Sequence, residues 1–231
     1  QISENRMNSS HKIRNPKSRR GVGPMLPYGP EATFRNRVLH PVILQVPERV
    51  QEFKPKDRVL YLSRHARRAI EKSAAKSGVR TGELLKDENG MPLPFDGTFW
   101  SLTHKSLYVA GVVAPAPIGI DIERIRDISE GLFRKTAADQ EWGLAGTTEK
   151  SLLIFFRFWT SKEAVLKATG IGIKDLLKCQ VRHILDAHRL VIHYEGKDWL
   201  IEHLFYDQHI ASIVQNSFHI DWAVEKEISI L

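Results

Sequence analysis

The sequence predicts an α+β protein of two similar lobes, each with a helix packed on a small antiparallel sheet. Two long stretches with helical spacing, near 63–77 and 149–169, are each followed by short alternating runs that read as strands. The 231 residues, 42% hydrophobic and 26% charged, give room for one substantial domain or two small ones of about 100–120 residues. Cys179 is the single cysteine, which excludes a disulfide scaffold. No repeated sequence motif accompanies the two-lobe pattern.

Residues 1–35 are rich in Asn, Ser, Arg, Gly and Pro without a sustained period, and read as a flexible basic arm. Pro16 and the polarity of the segment disfavour a transit peptide, and the apolar core of a secretory signal is lacking. The formal charge is +7, of which residues 1–20 contribute +5, so the basic balance mostly describes the arm. No run of about 18 apolar residues offers a membrane span, and the expectation is a soluble, cytoplasmic protein with no membrane partner.

The first helix is placed at 63–77, with Ser63 as start and Gly78 as stop. Ala66, Ala69, Ile70, Ser73 and Ala74 share one face; Arg64, Arg67 and Arg68 gather opposite, where spacing alone favours a solvated face. Asp87 to Pro94 reads as a loop. Strands follow at 98–103, 107–114 and 118–123, then a helical stretch near 128–143 and the long helix near 149–169. The remainder reads as strands at 180–184, 189–194, 198–206 and 209–215. The N-terminal lobe is assigned to 36–117 and the C-terminal lobe to 118–231, with the site between them.

Two segments carry charge where a simple fold would not need it. Ile118-Gly119-Ile120-Asp121-Ile122-Glu123 alternates strictly, so the isoleucines share one strand face and Asp121 and Glu123 the other. Two residues apart on a strand face is about 6.6 Å, within reach of one hard cation. Gly119 leaves room for a ligand or a backbone to approach. Alternation alone favours a solvated outer face. In the second segment, Glu163 and Lys167 fall on the helical stripe of Leu152, Phe156 and Trp159, where unpaired charge is costly. A capping box from Thr160 to Glu163 and an ordinary i,i+4 pair are the structural alternatives, and the two kinds of reading stand level.

Gly119-Ile120-Asp121-Ile122-Glu123 and Trp159-Thr160-Ser161-Lys162-Glu163-Ala164-Val165-Leu166-Lys167, followed by Gly170-Ile171-Gly172, together resemble the 4′-phosphopantetheinyl transferase superfamily. The match is strongest over 98–173, and the outline resembles the larger, surfactin-synthetase-activating type, a pseudo-twofold monomer. The resemblance implies transfer of the phosphopantetheine arm of coenzyme A to a serine of an apo acyl or peptidyl carrier protein, releasing adenosine 3′,5′-bisphosphate. It implies that Asp121, Glu123 and Glu163 hold Mg²⁺ and that Lys167 contacts phosphate. Glu163 is then a candidate to deprotonate the serine, directly or through water. Lys162, on another side of the helix, receives no catalytic role.

The same resemblance assigns Arg64, the loop from Lys86 to Pro92, and Thr103-His104 to coenzyme A. An isolated His104 would otherwise read as a structural side chain. Met91 stands where the family carries a lysine in Gly-Lys-Pro, leaving Lys86 and Lys105 as candidates to replace that cation. Glu141-Trp142 resembles a Glu-aromatic pair whose acid transfers protons in some members; a surface acid on an amphipathic helix is the equal alternative. Two other classes compete with the enzyme. A catalytically degraded carrier-binding module has Met91 as its argument, and a basic nucleic-acid-binding protein would use the arm and Arg64 to Arg68. Neither gives a reason for Asp121, Glu123, Glu163 and Lys167 together.

Overall fold

Pro55 fixes the backbone of the first turn and needs no hydrogen-bond partner there, so a helix can begin on it. In the computed structural model, which describes residues 37–146 and 152–226, that helix (α1) runs Pro55–Ser77. It starts eight residues before the expected Ser63 because its first turns are exposed and carry no apolar stripe. Its end is as expected: Gly78 adopts φ +69° and its N–H closes on the carbonyls of Ala74 and Ala75. Ala66, Ala69, Ile70, Ser73 and Ala74 are all buried. The arm assigned to 1–35 lies outside the described residues.

That apolar face packs on a four-stranded sheet. Strands β1 (Val38–Leu39), β2 (Val42–Gln45), β3 (Phe99–His104) and β4 (Tyr108–Ala114) come from the first half of the chain. β2 and β3 flank β4, both antiparallel to it. Gly111 of β4 lets α1 settle onto the strand, since a Cβ there would lie 2.7 Å from the Ile70 nitrogen.

The second half repeats the helix-on-sheet plan. β5 (Ile120–Arg124) leads to two short helices, α2 (Glu130–Thr136) and α3 (Asp139–Gly143), in place of one helical stretch over 128–143; Ala137 and Ala138 between them are extended. The long helix α4 (Leu152–Thr169) precedes β6 (Gln180–Ile184), β7 (Arg189–Tyr194), β8 (Lys197–Tyr206) and β9 (His209–Val214). These form an antiparallel sheet in the order β5-β9-β8-β7-β6, with α4 across β5 and β9. Gly119 is what allows this: a Cβ there would stand 1.8 Å from the Ala164 carbonyl oxygen. The approach it permits is that of the helix backbone, not of a ligand.

The chain then returns. β10 (His219–Ile220) pairs parallel with β1 in a separate two-stranded sheet, and β11 (Ala223–Glu225) pairs parallel with β2, completing the four-stranded sheet in the order β11-β2-β4-β3. The boundary expected at 117/118 is therefore crossed by residues 219–225. One core also spans both halves, joining Ile70 and Val112 to Ile120, Phe158, Leu166 and Ile192. Among the described residues no helix is long and apolar enough to cross a membrane.

Candidate active site

β5 lies between the first sheet and α4, so both of its faces are covered. Asp121 is 3% exposed and Glu123 8%, against the solvated outer face that alternation favoured. Buried carboxylates need partners. Asp121 Oδ1 accepts hydrogen bonds from Thr103 Oγ1 at 2.9 Å and Lys167 Nζ at 2.7 Å. Lys167 Nζ also donates to the Ile120 carbonyl at 3.1 Å. Lys105 Nζ sits 2.5 Å from Glu123 Oε1. The second oxygen of Asp121, Oδ2, is buried with no partner among the described residues.

Glu163 approaches from α4, half-buried. The helix runs unbroken through Thr160, whose hydroxyl donates to the Phe156 carbonyl at 2.7 Å, so the capping-box alternative fails. Burial, then the charge of Asp121, pushes the Glu163 carboxyl above its ordinary range. Burial also raises Glu123, with the Lys105 ammonium opposing it and Asp121 adding to it. These acids act on one another electrostatically. Among the described residues they do not stand in ready-made metal-ligand geometry. Their chemistry nonetheless suits a hard divalent cation: all are carboxylate oxygens, two of the acids are buried, and one oxygen is unpartnered.

Positive charge converges from the other side. Burial, then Lys167, Lys105 and Lys86, lowers the His104 pKa; burial, then Arg67 and Lys167, lowers that of Lys86. The loop bearing Lys86 is folded by Asp87, whose Oδ1 accepts from the backbone N–H groups of Asn89 and Met91. Lys86 bridges to Pro92 across this turn. A cavity of about 210 Å³ opens here, lined by Lys86, Met91, Pro92, Glu163, Lys167 and Gly170 among others. Met91 fills space beside Gly170, where a Cβ would lie 2.2 Å from its sulfur. The arrangement can receive an anion between lysines and place it beside carboxylates.

Residues 117–221, which carry Asp121, Glu123, Glu163 and Lys167, match the family profile of the 4′-phosphopantetheinyl transferase superfamily. Over that stretch the chain is similar to this superfamily. The 4′-phosphopantetheinyl transferase HetI of Nostoc sp. is 35% identical over 116 residues, 45% of this chain and 49% of that protein. The 4′-phosphopantetheinyl transferase psf-1 of Bacillus pumilus is 35% identical over 89 residues, 37% and 38% of the two chains. The 4′-phosphopantetheinyl transferase gsp of Aneurinibacillus migulanus is 30% identical over 90 residues, 38% of each. The chain spans about half or less of the length of these relatives.

Of the positions singled out by the phosphopantetheinyl transferase motifs, the fold brings together Lys86, Met91, Pro92, Thr103, His104, Asp121, Glu123, Glu163 and Lys167. Arg64 is exposed on α1. About one helical turn along, Arg67 turns toward the loop and donates to the Leu84 carbonyl at 2.8 Å. Glu141, offered equally as a proton-transfer acid and as a surface acid, also stands apart from these residues. Its Oε1 lies 2.7 Å from Lys162 Nζ and accepts from the Val181 N–H at 2.8 Å; its Oε2 accepts from the Ala138 N–H at 2.8 Å. It is not a surface acid, at 2% exposure. Lys162, given no role from its position, is fully buried and also donates to the Thr136 carbonyl at 2.8 Å. The sequence signal was present: Phe158, Val165 and Leu166 lie three or four residues from Lys162, so an apolar stripe surrounds it.

Proposed function

We propose that this protein transfers the phosphopantetheine arm of coenzyme A to a serine hydroxyl of an apo carrier protein. Its serine oxygen would bond to the phosphorus of the arm while the bond to the adenosine 3′,5′-bisphosphate leaving group breaks. The observation that carries this reading is the meeting of three carboxylates with a cationic cavity, where Asp121 keeps a buried, unpartnered oxygen.

Asp121, Glu123 and Glu163 would hold Mg²⁺, which supplies charge neutralisation of the diphosphate and of the departing phosphate. Lys86, His104 and Lys167 bind phosphate oxygens, and Thr103 keeps Asp121 oriented. Glu163 is the candidate base, because its raised proton affinity and half-buried position suit accepting the serine proton. The apolar wall of Met91 and Pro92 accepts the uncharged part of the ligand in place of a further cation. We take the protein to act as a cytoplasmic monomer whose two helix-on-sheet halves form a pseudo-twofold pair.

The test is intact-mass spectrometry of apo acyl and peptidyl carrier proteins incubated with the protein, coenzyme A and Mg²⁺. The expected result is a gain equal to the phosphopantetheine arm, abolished by EDTA and by Asp121→Ala or Glu163→Ala in folded protein. Coenzyme A binding without mass gain in any carrier would favour the carrier-binding module that has lost its chemistry. Unimpaired turnover by either variant would remove the assigned metal ligands.

A further inference from the structure

Two lysines neutralise the acids of the site, and they are held differently. Lys167 is fixed by two acceptors, Asp121 Oδ1 and the Ile120 carbonyl, and its side chain is 29% exposed. Lys105 reaches Glu123 from the turn between β3 and β4, and its side chain is 39% exposed. Its root is anchored: the Lys105 N–H donates to the Tyr108 carbonyl at 2.8 Å, and the Tyr108 hydroxyl donates to Asp207 at 2.7 Å in the opposite half. The backbone is thus held while a long flexible stem carries the ammonium over a buried carboxylate.

We propose that Lys105 is a tethered counter-ion of the acid group, which a divalent cation must displace from Glu123 in order to bind. This rests on the reading that the three carboxylates receive such a cation. An ammonium at 2.5 Å from Glu123 Oε1 uses an oxygen the ion needs. The two cations also repel each other at that range, by ~1 kcal/mol per unit charge in water and several times more near protein. Burial works against the Lys105 ammonium, yet Glu123, Asp121 and Glu163 together hold its pKa above the usual lysine value, so it feels all three acids. Of the two lysines, Lys105 is the one free to leave: among the described residues it has no backbone acceptor comparable to the Ile120 carbonyl, and its side chain is the more exposed of the two. Lys105 thereby keeps the buried acids neutralised until the divalent ion takes over, and sets how tightly that ion binds.

Mn²⁺ binding followed by electron paramagnetic resonance tests this without substrate or turnover. Lys105→Met should bind Mn²⁺ about tenfold more tightly than the unaltered protein, a factor worth ~1.4 kcal/mol. Lys105→Arg, which keeps the charge, should bind as the unaltered protein does. Lys178→Met, which removes an exposed lysine paired with Asp175, controls for net charge and should leave binding unchanged. If circular dichroism shows Lys105→Met unfolded, Lys105→Gln carries the same expectation. Equal or weaker Mn²⁺ binding by the folded, uncharged variant overturns the role of Lys105. Absence of Mn²⁺ binding in the unaltered protein instead overturns the metal reading, and this inference with it.

Discussion

Lys162 and Glu141 form a buried ion pair whose two charges are compensated locally. The Lys162 ammonium faces Glu141 and the Thr136 carbonyl, while Glu141 also accepts two backbone N–H groups. Such a pair stabilises little against an apolar replacement, but losing one member strands a buried charge. Lys162→Ala should therefore cost about 3–5 kcal/mol in urea unfolding. The double change Lys162→Met with Glu141→Leu should recover most of that loss. Glu141→Gln, assayed where it stays folded, should keep carrier modification within a few-fold, whereas Glu163→Gln should lose it. Equal loss in both would place Glu141 in the chemistry. In sequence, neighbouring Lys162 and Glu163 differ only by one helical step. That step separates a lysine enclosed by Phe158 and Leu166 from an acid that meets Asp121 across the site.

At the scale of elements, the contact between β5 and α4 sets the site, because Asp121 and Glu123 ride on one and Glu163 and Lys167 on the other. Gly119 is the hinge of that contact. Gly119→Ala would place a methyl 1.8 Å from the Ala164 carbonyl oxygen, backbone against which no side chain can rotate away. The variant should lose more than about 3 kcal/mol by denaturant unfolding, or lose the site while folded. Unchanged stability together with unchanged carrier modification would refute the tight approach. Much of this layer was legible: the alternation of 118–123, the stripe of α4 and the strands of the second sheet come from local periodicity. The burial of Asp121 and Glu123 was not, because its cover is supplied by β3, β4 and α4, remote in sequence. Strand β2 was missed for the same reason. Its four residues have no period to read, and its place is set by pairing with β4 and β11. The start of α1 was missed because its exposed first turns have only Pro55 as a signal.

For the molecule as a whole, the pH dependence of stability should bear the mark of His203. It is buried, and its Nδ1 lies 2.8 Å from Ser212 Oγ, which in turn lies 2.5 Å from Thr160 Oγ1. Burial, then the charges of Arg157 and His188, lowers its pKa well below the ordinary 6.5. The unfolded chain takes up a proton at that histidine as pH falls below 6.5, and the folded chain resists it. Its contribution is therefore complete above pH 6.5 and is lost on acidification, by up to about 1.4 kcal/mol per pH unit. Urea midpoints between pH 5 and 8 should show this slope, and His203→Gln should flatten it. An unaltered slope in that variant would assign the acid sensitivity elsewhere.

The parallel pairing of β11 with β2, and of β10 with β1, joins residues 38–44 to residues 219–225. A ribosome making this chain must therefore release about 180 residues after β2 before that strand finds its second neighbour. The five-stranded sheet, complete by Val214, has no such debt to later residues. During synthesis the half that bears Asp121, Glu123 and Glu163 can close its own sheet first. The edge of β2 stays unsealed until the last described strand emerges, which makes it the place where a trigger-type chaperone would have most to shield.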